Sequence, residues 1–169
     1  PNSRDQLLEV ISYLYREDIE FVILGHTSNT YILNSCNIPV VVSTVKCRGF
    51  KVMGDRVYCE AGVGVIRLAN QMVRNGINGY EYLTDLPGTV GAAIYNNSSC
   101  KLNSISSLVI SVEVLNKDGN VVIYKRDELS FKYRSSAFKE GLIDGVILSV
   151  ILKADIGDRE LLMQIAENT

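Results

Sequence analysis

Hydrophobic and polar positions follow two different periods along this chain. In NSRDQLLEVISYLYRED, residues 2 to 18, Leu7, Leu8, Ile11, Leu14 and Tyr15 recur at helical spacing and predict an amphipathic helix. Ser3 and Gln6 stand at the spacing of a capping box at its start. The next apolar runs are short and rich in β-branched residues: EFVIL (20–24), TYIL (30–33) and IPVVVST (38–44), each expected to be a strand. A hairpin is predicted over 49–62, turning at Gly54 and Asp55. Helical spacing returns over 63–76, with Ile66, Ala69, Met72 and Val73 as the apolar stripe and Gly76 as the stop.

A helical turn is expected from about Gly88, then a second hairpin beginning after Ser107 and turning at residues 117–120. A long apolar strand over 145–155 and a helix over 158–169, capped by Asp158, complete the pattern. The first half alternates helix and strand and the second is mainly hairpin. An α+β fold with two lobes follows, split near residue 45 into 1–45 and 46–169, with a seam between them.

Composition narrows the function classes. Of 169 residues, 47% are apolar and 21% charged, and 17 basic against 19 acidic side chains leave a net charge of −2. No run of Lys and Arg marks a nucleic-acid footprint, and no apolar run reaches the roughly 18 residues a membrane span needs. Cys36, Cys47, Cys59 and Cys100 show no paired spacing, so no metal is expected. Cys47 and Cys59 fall in apolar surroundings and read as buried free thiols, which suits a reducing cytoplasm. The chain begins at Pro1 without a Met and runs into a helix at its end, as a piece of a longer protein would.

Three stretches carry candidate chemistry. After the strand ending at Leu24, the loop Gly25, His26, Thr27, Ser28 and Asn29 offers successive amides and two polar side chains. Such a loop is either an anion-binding nest or a plain polar turn. LTDLPGTVGAAIYNN, residues 83–97, is nearly free of charge and bulk, with Pro87, Gly88, Thr89, Gly91, Ala92 and Ala93. Its bareness serves either close backbone packing or the approach of a ligand to exposed amides at a helix start. FKYRSSAFK, residues 131–139, sets Arg134 beside Tyr133 and two serines, a group suited to gripping a carboxylate unless it is a surface Arg in a polar loop. His26, the single histidine, has no evident catalytic partner, and Glu60, Glu81 and Asp85 form no recognisable carboxylate pair.

Taken in order, VILGHTSNTYIL, EAGVGVIRLANQMVRNGINGYEYLTDLPGTVGAAIYNN and ELSFKYRSSAFK resemble the UDP-N-acetylenolpyruvoylglucosamine reductase (MurB) family from about residue 4 to the end of the chain. The resemblance implies a two-lobed FAD-binding domain of the vanillyl-alcohol-oxidase (PCMH) type, with FAD in the seam and NADPH as hydride donor. It implies a UDP-sugar substrate and a role in peptidoglycan synthesis. Gly25, Ser28 and Asn29 would hold the FAD diphosphate, with His26 and Thr27 also among the cofactor-binding residues of that loop, and Pro87, Gly88, Thr89, Gly91, Ala92 and Ala93 would pack along it. Ile147 would lie near the flavin. Tyr133 and Arg134 match the family's Tyr-Arg pair, with Arg134 the catalytic residue at the substrate carboxylate.

The chain departs from that family at His26-Thr27, where glycines are usual, and at residues 98–102. A left-handed backbone at position 27 would strain Thr27. The family's separate substrate domain, with its Ser proton donor, has no counterpart in the chain, so little or no turnover is expected from these residues by themselves. The alternatives are a divergent FAD-binding or non-catalytic nucleotide-binding module, and a plain interaction domain whose small residues serve packing.

Overall fold

The computed structural model describes residues 1–33, 35–100 and 103–168. Helix α1 (Arg4–Arg16) buries Leu7, Ile11 and Leu14, with Leu8 and Tyr15 half-buried beside them. Ser3 caps it by accepting from the Gln6 amide at 3.3 Å. The reciprocal half of the capping box lands one residue early, because Gln6 Oε1 accepts from the Asn2 amide at 2.8 Å.

Strands β1 (Phe21–Leu24) and β2 (Val40–Ser43) form a parallel pair. The strand predicted at 30–33 is absent. Tyr31, Ile32 and Leu33 are 88%, 52% and 56% exposed, and among the described residues no neighbouring strand offers them a ladder; Leu33 O instead accepts from the Cys36 amide at 3.0 Å. Local β-propensity yields there to the lack of a partner.

Strands β3 (Phe50–Met53) and β4 (Arg56–Glu60) form the first predicted hairpin. Helix α2 (Val65–Arg74) follows, burying Val65, Leu68, Ala69, Met72 and Val73. Ile66 is 40% exposed, so the buried stripe is rotated from the one expected, with Val65 and Leu68 inside instead. Helix α3 (Val90–Asn96) is short. Strands β5 (Ser99–Cys100) and β6 (Asn103–Ser104) pair in a small hairpin. Strands β7 (Val109–Leu115) and β8 (Val121–Lys125) make the second large hairpin, β9 (Val146–Lys153) is the long apolar strand, and α4 (Arg159–Glu167) is capped by Asp158. Thr169, included in the predicted last helix, lies outside the described residues.

Five strands form an antiparallel sheet in the order β3-β4-β9-β7-β8. Its central strand β9 reads as a nearly unbroken apolar run because it is covered from both sides. One apolar cluster joins this sheet to α2, α3 and α4 through residues such as Leu68, Met72, Ile94, Val112 and Leu152. A second joins Leu7, Ile11 and Leu14 of α1 to Val42, Leu115, Val146 and Leu148. Each fully buried Leu or Ile contributes about 1.5–3 kcal/mol. A polar clamp assists the second cluster. Arg4 grips Glu113 on β7 through Nε at 2.9 Å and Nη2 at 2.6 Å, and Ser149 Oγ donates to the same carboxylate at 2.7 Å.

Candidate functional site

A cleft of about 870 Å³ opens between the β1–β2 pair and the face formed by α3 and the start of β9. One wall is β1 and the loop after it. Parallel pairing with β2 ends where the Thr44 amide and hydroxyl donate to Leu24 O, at 2.9 and 3.3 Å. The chain is thereby released into the turn Gly25–Asn29, closed by Thr30 N donating to Thr27 O at 3.2 Å. Thr27 has φ 55, so the left-handed backbone foreseen at this position is present and carried by a β-branched residue. Among the described residues, the amides of His26, Thr27, Ser28 and Asn29 have no protein acceptor.

The opposite wall is the bare segment, and its small residues serve two ends. Gly91 is a matter of packing: its amide donates to Ala61 O at 2.8 Å, and a Cβ there would stand 3.0 Å from Ala61 Cβ. The Val90 amide donates to Val63 O at 2.8 Å. The expectation that amides throughout 87–93 face a ligand is therefore corrected: those of Val90 and Gly91 are satisfied by the strand-to-helix turn at 61–63, and Ala93 bonds within α3. Gly88 and Thr89 are different. Among the described residues their amides have no acceptor, and a Cβ on Gly88, at φ 122, would touch only Ser28 Oγ, at an ordinary contact distance of 3.6 Å. The segment thus bares backbone at 88–89 and packs it at 90–91.

The two walls meet at one point. A Cβ on Gly25 would run into Thr89 Oγ1, so only glycine lets the loop approach the cap of α3. Thr89 is 1% exposed, and its Oγ1 accepts from the Ala92 amide at 3.5 Å.

The cleft gathers the residues singled out from the sequence: Gly25, His26, Thr27, Ser28 and Asn29 on one side; Pro87, Gly88, Thr89, Gly91, Ala92 and Ala93 on the other; Ile147 on its floor; and Arg134 at its edge. Tyr133 is not part of this lining. It is 85% exposed and borders a second hollow of about 360 Å³, of which Arg134 is also a wall. Tyr133 and Arg134 are the two central residues of a tight turn, closed by reciprocal backbone bonds between Lys132 and Ser135 at 3.1 Å each. Arg134 has φ 54 and, among the described residues, no ion-pair partner.

Sequence reasoning missed Lys139, Tyr95, Asn96 and the β1 side chains, all of which line the cleft. Lys139 was legible in part, since it lies five residues after Arg134 in the same motif, and its Nζ donates to Arg134 O at 3.1 Å. His26 lies against Gly64 at the start of α2 and lines the cleft, with no carboxylate partner among the described residues. Glu60 and Glu81 serve structure by accepting from the Gly49 and Gly79 amides. Of the divergent stretch 98–102, Lys101 and Leu102 lie outside the described residues; Ser98 borders the main cleft and Ser99 the second hollow. Among the described residues no group of His, Cys, Asp and Glu is placed to hold a metal ion, and no helix is long and apolar enough to cross a membrane.

Comparison with known proteins accords with this geometry. Residues 1–124 match the family model described as an FAD binding domain. A UDP-N-acetylenolpyruvoylglucosamine reductase of Caldanaerobacter subterraneus subsp. tengcongensis is 32% identical over 160 residues, covering 95% of this chain and 52% of that protein. The reductase of the same name from Bacillus subtilis is 26% identical over 165 residues, covering 97% of this chain and 54% of that protein. The chain spans about half the length of the curated relatives it matches. Among solved structures, the Thermus caldophilus reductase (MurB) superposes with a TM-score of 0.81 at 24% identity, over 99% of this chain and 58% of that one. A cholesterol oxidase from Brevibacterium sterolicum superposes with a TM-score of 0.68 at 13% identity, over 92% of this chain and 33% of that one. These likenesses show the expected α+β fold.

Proposed function

This chain belongs to the FAD-binding-domain family, and on that premise we propose that it is the flavin-holding part of a UDP-N-acetylenolpyruvoylglucosamine reductase of the MurB type. The observation that carries the reading is the cleft itself. It brings the unpaired amides of His26–Asn29 opposite those of Gly88 and Thr89, where Gly25 lets the two segments touch.

The residues present fit FAD. Amides with no protein acceptor on both walls suit a diphosphate, and Ser28 Oγ adds a hydroxyl beside Gly88. The volume suits a large cofactor. Buried Ile147 gives an apolar surface on which a flat ring system can rest. When bound, FAD supplies the hydride chemistry, with NADPH as the donor. The protein's own contribution is binding and orientation. Arg134, exposed at the mouth and without a counter-ion among the described residues, presents its guanidinium to the carboxylate of an enolpyruvyl UDP-sugar. It also opposes the negative charge that gathers on that group during reduction. Tyr133 stands beside it on the substrate side.

The two-lobed division near residue 45 belongs to the same reading, with the β1–β2 pair and α1 as one side of the flavin seam. A cytoplasmic setting goes with it, since Cys36, Cys47, Cys59 and Cys100 are all free thiols. The Ser proton donor that the resemblance assigns to a separate substrate domain has no match among these residues, so the chain by itself is expected to bind flavin without completing the reduction.

The test is titration of the purified chain with FAD, followed by flavin absorbance and fluorescence. Saturable 1:1 binding is expected, lost on Gly25→Val. No binding would sink the proposal. The alternative of a divergent flavin module draws support from Thr27, whose strained backbone sits in the diphosphate loop. It predicts flavin binding with no response of the bound flavin to NADPH and the UDP-sugar in the longer protein that carries this chain.

A further inference from the structure

Helix α3 runs from the cleft to Asn97, and there the cleft is tied to the turn that carries Arg134. Asn97 caps α3 in the left-handed conformation, at φ 43, and is 4% exposed. Its Nδ2 donates to Lys132 O at 2.7 Å. Among the described residues its Oδ1 is buried without a partner. An unpaired buried amide oxygen destabilises the folded state. Glycine would end the helix at the same φ with no polar atom to bury. What asparagine does and glycine cannot is hold Lys132 O.

That carbonyl belongs to the residue just before Tyr133 and Arg134. It also accepts from Ser135 N at 3.1 Å, the bond that closes the turn. A second tie runs beside the first: Ser136, fully buried, donates its Oγ to Tyr95 O at 2.6 Å. On the outer side, exposed Lys139 supports Arg134 O, and Lys132 Nζ and Ser135 Oγ both reach Glu140, at 3.2 and 3.1 Å. The inner, buried ties both come from the end of α3. Arg134 is held at φ 54, a conformation an arginine does not favour unaided.

We infer that Asn97 is the positioning residue of Arg134. By fixing Lys132 O to the end of α3, it sets the height and direction of the Arg134 turn relative to the cleft. Occupancy of the cleft at Gly88 and Thr89, at the start of α3, is thereby coupled to order in the turn at its end. The identity of the cleft's occupant rests on the flavin reading above; the clamp does not.

Limited trypsin digestion tests this. Trypsin cuts after Lys132 and Arg134 only when the turn opens locally. Arg56, at the exposed start of β4, is the internal reference. Asn97→Gly removes the donor and keeps the backbone conformation; Asn97→Asp keeps the size and removes the donor. Cleavage after Lys132 and Arg134, relative to Arg56, is expected to rise about tenfold in both variants, the value of one lost hydrogen bond. Saturating FAD is expected to slow those two cuts in the native chain and in neither variant. A general loosening of the fold would raise all three cuts together; should Asn97→Gly behave so, Asn97→Asp decides. Unchanged relative cleavage in a folded variant overturns the inference. Absence of any FAD response in the native chain overturns the flavin reading, and the FAD-free comparison still decides the clamp.

Discussion

Gly91 lies directly against Ala61: its amide donates to the Ala61 carbonyl at 2.8 Å, and a Cβ at Gly91 would stand 3.1 Å from that oxygen and 3.0 Å from Ala61 Cβ. In an exposed helix, replacing glycine by alanine gains up to about 1 kcal/mol. Here the added methyl meets backbone that is itself anchored, since the Ala61 amide donates to Leu148 O at 3.0 Å. Gly91→Ala is therefore expected to destabilise the fold by about 1–3 kcal/mol, read from urea unfolding midpoints. Stabilisation would show that α3 can shift away from the strand.

Thr27 is the reverse case. It is an exposed residue at φ 55, a conformation that costs a non-glycine residue roughly 1–2 kcal/mol. Glycine removes that strain and restores some chain entropy to the unfolded state. Thr27→Gly should raise stability by up to about 1 kcal/mol without weakening FAD binding. A fall in either quantity would mean that the threonine side chain has a role of its own.

The Arg4–Glu113 pair makes stability depend on acid. Burial would raise the Glu113 carboxyl, but hydrogen bonds from Arg4 and Ser149, helped by the Arg4 charge, outweigh it and hold the group below the usual carboxylate range. A group whose folded value is depressed binds its proton more readily when unfolded. Its stabilisation is thus complete above the ordinary glutamate value of 4.5 and is lost as pH falls below that through the folded value. Glu113→Gln should cost about 1–3 kcal/mol at neutral pH. It should also flatten the decline of stability on the acid side, as measured by urea unfolding at a series of pH values. An unchanged acid slope would remove Glu113 as its source.

The cysteines should separate by burial. Cys36 is exposed, Cys47 and Cys59 are buried, and burial pushes both buried thiols up, Cys59 the further. Since the thiolate is the reactive form, a thiol reagent should modify Cys36 at once and Cys47 and Cys59 only on unfolding. Mass spectrometry of the partly labelled chain checks the order. Early labelling of Cys59 would mean that β4 opens in the native state.

Much of the fold was legible because period and burial agree wherever an element has a partner. The helix through Leu7, Ile11 and Leu14, both large hairpins and the β9 run are where the sequence pattern puts them. The pattern misled where a partner was needed and absent, as at Tyr31–Leu33, and where a helix lies on its support at an angle that periodicity does not state, as at Ile66. The cleft residues were legible as types: small at 88 and 91, polar at 28 and 29, basic at 134. Which amides stay free was not. The bonds Val90 N to Val63 O and Gly91 N to Ala61 O join segments nearly thirty residues apart in the chain, and nothing local in PGTVGAA encodes them.

The β1–β2 pair and the five-stranded antiparallel sheet share no ladder among the described residues. An outward displacement of the Gly25–Asn29 wall would therefore break no inter-strand backbone bond with the larger sheet. What would oppose it is the packing of Leu7, Ile11 and Leu14 of α1 with Leu115, Val146 and Leu148, together with the Arg4 clamp.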